Sequence, residues 1–358
     1  MRGLLYHRRR RWSFLLLTVL LAGCSTYYGQ LVQGQLALLR ARQPVREVLE
    51  DPARPAALRT RLQHLLRARQ FASDRLGLPD NDSYRLYADI QRPYVVWNVF
   101  ATPEFSVEAI SRCFPVAGCV AYQGYFHSSA ARAEAARLSL AGLDTQLAGV
   151  DAYSTLGWFA DPLLSAMLRR DDEQLAGIIF HELAHQRLYL PGDTAFNESY
   201  ASFVEHEGQR QWLHSRGLPP PGGAREQAYR QLVSLVLETR ERLRTLYASG
   251  QPPDRLRQQK QKEFMRLRQA YRRLRDRDWQ GQDYFRSWIS QPLNNASLLP
   301  FGLYDGWLPA FSRLFQDVNR DWEAFHLAVR ALADLPDAGR RQQLQRLMAR
   351  AGARAGQP

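Results

Sequence analysis

Lysine and cysteine are both scarce in this chain of 358 residues. Lys260 and Lys262 are the only lysines, so nearly all of the 48 basic side chains are arginines. The three cysteines stand at 24, 113 and 119, and no His or Cys beside the last two could complete a tetrahedral cysteine-based metal shell. No glycine-rich phosphate loop follows a strand, and no Gly-x-Ser-x-Gly elbow occurs, which disfavours nucleotide enzymes and serine hydrolases. Internal repeats are absent, and low complexity is confined to the terminal AGARAGQP. The apolar run Trp12 to Ala22 falls short of the roughly 20 residues of a permanent membrane helix. The formal charge is +13, but five arginines lie in the first 23 residues, leaving +8 beyond them (13 − 5). Without a recognisable reading module, that surplus does not indicate nucleic-acid binding. Solvated arginine faces on helices, or a basic surface turned toward anionic headgroups or cell wall, account for it.

What is present begins with the N-terminus. Arg8 to Arg11, the short apolar run and the small residues after it have the layout of a secretory signal. Leu21-Ala22-Gly23-Cys24 resembles a bacterial lipobox, which implies a signal peptide over 1–23 and a lipidated Cys24 at the mature N-terminus. An acyl anchor gains about 0.8 kcal/mol per buried CH₂. In the lipoproteins this N-terminus resembles, a serine after the cysteine, here Ser25, favours the outer membrane over the inner, with the chain on the periplasmic side. In an oxidising compartment Cys113 and Cys119 are most simply a disulfide closing a small loop, the alternative being two buried thiols.

The remaining chain, 24–358, is long enough for one large domain, and it reads as mostly helical. Leucines recur at helical spacing over Tyr27 to Arg42 and over Ala56 to Leu76, where Gly77-Leu78-Pro79 stops the helix. Tyr94 to Phe100 and Val120 to Phe126 are β-branched and aromatic and predict strands, and Ser129 to Ala141 predicts a helix. Asp151 to Thr155 is expected as a short strand, and Pro162 to Arg169 as a helix. After GLPPPGG, the seams Tyr229–Leu246 and Leu256–Leu274 predict a long antiparallel helical hairpin at about 224–277. Its ordinary role is packing; a lid or partner-binding arm is the alternative.

The chemistry concentrates in GIIFHELAHQRLYLPGDTAFNESYASFVEHEG, from Gly177 to Gly208. Asp171 to Glu173 supply an N-cap and an acidic first turn for a helix. His181 and His185, one turn apart, share a face and can both reach one metal ion. Glu182 is rotated partly off that face, where a carboxylate can take a proton from metal-activated water. After the Pro191-Gly192 turn, Asp193 or Thr194 caps a second helix on which Glu198, Ser202 and Glu205 form one stripe. Zinc needs a third protein ligand, which that stripe can supply. The other histidines do not make a second site; His64, His127, His214 and His326 are scattered.

HELAH followed by NESYASFVE resembles the gluzincin metallopeptidases, in which a Glu on the second helix completes a two-His zinc site. Together with the lipobox, DAYSTLGWFADPLL and QPLNNASLLPFGLY, the chain is similar to a bacterial family of putative aminopeptidases over most of its mature length. The resemblance implies an α+β, mostly helical, zincin-like domain with a small sheet, binding one Zn²⁺ and hydrolysing peptides or proteins. Asn197-Glu198 points to Glu198 as third ligand; the spacing usual in better-known gluzincins would select Glu205. Glu198 is favoured, with Glu205 then holding a ligand histidine by its other ring nitrogen. Glu182 is the expected general base. Tyr304 in FGLYDG is a candidate oxyanion donor, and Tyr153 in DAYSTLG a candidate substrate-binding residue. An aminopeptidase also needs an acid for the substrate's α-ammonium, with Glu205 and Asp161 as candidates, while Asn294-Asn295 could bind substrate backbone or form a turn. The competing reading is a non-catalytic envelope lipoprotein using the zinc fold and hairpin as a scaffold for a partner.

Overall fold

The computed structural model describes residues 27–114, 118–152, 154–219, 223–301 and 306–355. The expected α+β, mostly helical architecture holds. Cys24, Tyr153 and Tyr304 lie outside the described residues.

A first helix, α1 (27–41), runs into β1 (Arg42–Pro44) and the short α2 (Val45–Glu50). Helix α3 (Ala56–Leu76) ends where Gly77 adopts φ 64°, a left-handed cap that glycine takes without steric cost. β2 (Leu86–Ala88) pairs antiparallel with β1 and parallel with β8 (Leu163–Leu164). The main sheet has the order β6-β3-β7, with β3 (Val96–Thr102) central and β6 (Tyr122–Tyr125) and β7 (Asp144–Val150) antiparallel to it. Between β3 and β6, β4 (Arg112–Phe114) and β5 (Gly118–Val120) form a hairpin closed by the Cys113–Cys119 disulfide.

Alternation along β3 sends its side chains to two different partners. Val99 and Ala101, with Tyr125 of β6, pack on Ala131 and Leu138 of α4 (Ser128–Leu140). Val96 and Asn98, with Tyr122 and Gly124 of β6, face a cleft on the other side. Below that cleft lies the largest apolar core, in which α5 (Asp172–Arg187) and α6 (Thr194–Ser215) pack on α3. It also takes in α10 (Leu308–Asp317), α11 (Trp322–Ala333) and α12 (Asp337–Ala355), after the four-residue α9 (Arg286–Ile289). α7 (Ala224–Tyr247) and α8 (Pro253–Arg277) pair through a separate core of Leu232, Val236, Leu243, Phe264, Leu267 and Tyr271. A 3₁₀ turn at Asn295–Leu298 ties that pair to the sheet: Asn295 Nδ2 donates to the Glu104 carbonyl, and Asn294 Nδ2 to that of Thr145.

Two expectations fail. The strand lies at Asp144–Val150, where seven residues pair in register with β3, and not at Asp151–Thr155. Asp151 is instead held by Arg170, and the Ser154 and Thr155 side chains bond Asp161. Pro162 to Arg169 is no continuous helix: Leu163–Leu164 pair with β2, and only Met167–Arg169 form a 3₁₀ turn.

Candidate metal centre

Each of the two central helices starts on a side-chain cap. Asp171 accepts from the Gln174 amide at the head of α5, and Asp193 from the Phe196 amide at the head of α6. Apolar residues surround α5 almost completely, and Leu175, Ile179, Phe180 and Leu183 are fully buried. An apolar helix of that kind belongs inside the protein, which carries its polar histidines inside with it. The turn to α6 is pinned by Asn197, itself 1% exposed: its Oδ1 accepts from the Leu190 amide at 2.8 Å and its Nδ2 donates to the Leu190 carbonyl at 2.7 Å. This clamp fixes the start of α6 against the end of α5 and turns Glu198 inward.

Three ligand-type atoms then converge. His181 Nε2 and His185 Nε2 are 3.2 Å apart, and Glu198 Oε2 lies 3.3 Å from the first and 3.6 Å from the second. A tetrahedral zinc shell with bonds of about 2.0–2.1 Å has edges of about 3.3–3.4 Å. The three separations match such a face, so the residues fit a single ion held by two imidazoles and a carboxylate. All three side chains are buried, and the trio forms a possible metal-binding group among the described residues. Two imidazole nitrogens facing each other across 3.2 Å are also poor partners unless a proton or a cation lies between them.

Glu205 approaches from the other side. Its Oε2 lies 3.0 Å from His181 Nδ1, so that nitrogen donates to it, and Nε2 is the ring atom turned toward Glu198 and His185. Gly177 makes room for this contact, since a Cβ there would meet Glu205 Cγ at 3.2 Å. Burial disfavours charge on His181, but Glu198 and Glu205 override it and hold its pKa well above the ordinary value. Burial likewise raises Glu198, yet His185 and His181 prevail and bring it down to about 2. Glu205 is lowered, chiefly by His181 acting against burial. The shifts share one cause: the two carboxylates hold a positive charge between them on His181, a charge that a divalent cation would supply in its place. Glu182 differs: burial raises its pKa despite both histidines, and no described side chain hydrogen-bonds its carboxylate.

The centre opens into a cleft of about 460 Å³. Its floor carries His181, Glu182, His185 and Glu198; its roof is the sheet face with Asn98, Tyr122 and Gly124. Phe114 and Val120 of the disulfide hairpin form one wall, and Asp151 and Arg170, joined at 2.7 Å, stand at another. Tyr122 escaped the sequence reading. Burial first, then Glu198, push its phenol pKa up, so it stays protonated and can donate. Asn98, only 7% exposed, escaped as well, because nothing local marks a strand residue that meets a helix some 80 positions later. Tyr189, whose ring stands 6.4 Å from that of His185, lies past the end of α5, where Leu188 is already extended, so the four-residue step from His185 does not place it.

Other candidates lie elsewhere. Asp161 is not part of the cleft wall; its carboxylate accepts from the Thr155 amide and hydroxyl. Glu207 is taken by Arg210 and Gln211, and His206 is exposed. Asn294 and Asn295 serve the packing described above. His326 is buried between the Tyr200 hydroxyl and the Leu76 carbonyl.

No curated protein and no solved structure matches the chain. Residues 26–344 match one protein family, described as "Putative aminopeptidase".

Proposed function

The chain belongs to the putative aminopeptidase family, and from that premise we propose that it is a zinc-dependent peptidase of zincin-like build, lipid-anchored through Cys24 on the periplasmic side of the bacterial envelope, the outer membrane being favoured. His181, His185 and Glu198 would hold the ion. The observation that carries this reading is the 3.2, 3.3 and 3.6 Å triangle of their donor atoms. A zinc ion there would supply Lewis acidity toward the scissile carbonyl and toward water.

The chain's own residues do the rest. Glu182, raised in pKa by burial and with no hydrogen bond from a described side chain, accepts the proton of the attacking water and returns it to the leaving amine. Glu205 fixes the His181 tautomer and ring orientation, leaving Glu198 as the third ligand. Tyr122, in the roof, offers a protonated hydroxyl for the developing oxyanion and joins Tyr304, which lies outside the described residues, as a candidate for that role. Asn98 offers the substrate backbone a polar partner from the roof. The family description supports an exopeptidase acting at free N-termini.

The test measures metal content and hydrolysis of aminoacyl and internally quenched peptides for the wild type and Glu182→Gln. We expect metal in both, turnover only in the wild type, and loss of turnover when the substrates are N-acetylated. Metal without turnover in either protein, over a broad panel, would favour the scaffold reading. Cleavage that survives acetylation would make the enzyme an endopeptidase.

A further inference from the structure

Helix α8 carries ten basic and three acidic residues, a net of +7, against +8 for the whole chain after residue 23. One helix therefore holds almost the entire surplus charge. Its apolar side, with Leu256, Phe264, Leu267 and Tyr271, is buried against α7. Several cations beside that seam are already used: Arg257 pairs with Glu104, Lys260 with Asp144, and Arg268 donates to the carbonyls of Ile289 and Gln291.

The outward face is different. At 100° per residue, Arg255, Lys262, Arg266, Arg273 and Arg277 fall within about 60° of one another, on one line down the helix. All five are exposed. Among the described residues only Arg266 has an acidic partner, Glu263 at 3.8 Å. Gln258, Gln259 and Gln269 stand between the cations, and the half-exposed Met265 flanks them. The stripe is about 33 Å long, 22 residues at 1.5 Å each. Across the groove beside it, α7 contributes one acid, Glu238.

We propose that this face of α8 is a docking surface for an anionic lipid bilayer. Charge complementarity supports it: five like charges are kept in a row, four of them with no acidic partner among the described residues, and a field of acidic headgroups relieves their mutual repulsion. The straight line suits a plane. A nucleic-acid groove would instead call for a reading module, which the chain lacks. The proposal concerns how the protein lies on the membrane and is independent of the metal chemistry. Where Cys24 is acylated, a second, electrostatic contact holds the body of the protein flat on the bilayer.

The experiment uses the chain from residue 24 with Cys24→Ser, which keeps every described residue and removes the acyl anchor. Sedimentation with vesicles of phosphatidylcholine containing 30 mol% phosphatidylglycerol, at roughly 0.1 M salt, measures partitioning. The comparison is with Lys262→Gln/Arg266→Gln/Arg273→Gln, and with a control of equal charge, Arg67→Gln/Arg75→Gln/Arg132→Gln, on exposed positions of α3 and α4. About fivefold is expected per charge removed from the contact, so the stripe variant should bind on the order of a hundredfold more weakly. The control should stay within about threefold of the parent, and pure phosphatidylcholine should bind none of the three proteins. Circular dichroism confirms folding, and Glu182→Gln should bind as the parent does, which separates this result from any failure of the peptidase reading. Equal losses in stripe and control variants would reduce the effect to bulk charge and overturn the proposal. So would tighter binding to a 20-base-pair duplex than to the anionic vesicles, or no binding by the parent.

Discussion

Asn197 offers the sharpest test of how the centre is assembled. Replacing it with alanine removes both hydrogen bonds to Leu190, at 2.8 and 2.7 Å, from a side chain that is 1% exposed. Each bond contributes about 1 kcal/mol net, and each polar group left unpaired costs about 1–3 kcal/mol. Leu190 is only half-buried, so water recovers some of that loss. A destabilisation of about 2–4 kcal/mol is expected, measured by urea unfolding in the presence of a chelator so that no metal contributes. The second effect follows from geometry. With the turn released, Glu198 loses its fixed place near the two Nε2 atoms, and zinc affinity should fall about 10- to 100-fold, as for other supporting groups. Competition against a chromophoric chelator reads that directly. Asn197→Asp should not rescue either property, because it keeps the acceptor for the amide but sets a carboxylate oxygen against the Leu190 carbonyl. A stability change under about 0.5 kcal/mol together with unchanged zinc affinity would refute the clamp.

Two further predictions use other parts of the fold. His326 is 3% exposed, and burial lowers its pKa to about 4 from the ordinary 6.5. Its neutral form is the folded one, so its contribution is complete above pH 6.5 and is lost as the pH falls through 4. At 1.36 kcal/mol per pH unit the gap corresponds to about 3 kcal/mol. Denaturant midpoints between pH 7.5 and 4 should fall less steeply in His326→Gln than in the parent, and parallel slopes would count against this assignment. Tyr122→Phe should lower kcat by about 10²-fold with little change in KM if its hydroxyl meets the oxyanion; a pure KM effect would make it a binding residue.

Sequence and structure agree where the signal is local. Gly77, Asp171 and Asp193 mark helix ends through backbone chemistry within a few residues, and the helices start or stop beside them. The four-residue step from His181 to His185 dictates a shared face, and the two rings do meet. Agreement fails where pairing partners decide. DTQLAGV has little β-branched character, and it becomes a strand because β3 offers it seven registered positions. DAYST reads as more strand-like, but Asp151 is held by Arg170, and Ser154 and Thr155 by Asp161. Tyr122 and Asn98 belong to the site only because the sheet folds over α5 and α6, a fact no local spacing encodes. The role of Asn197 is half legible: its place before Glu198 reads as a signature, while the clamp on Leu190 depends on a backbone turn that spans seven positions.

The converging donors and the carboxylate behind them all come from 25 consecutive residues, His181 to Glu205. The ceiling above them comes from a stretch of chain more than fifty positions earlier. Chemistry and selectivity are therefore written in separate paragraphs of the polypeptide. A lineage could redraft the upper one, strand by strand, and alter what is admitted while the reacting machinery beneath kept its spelling.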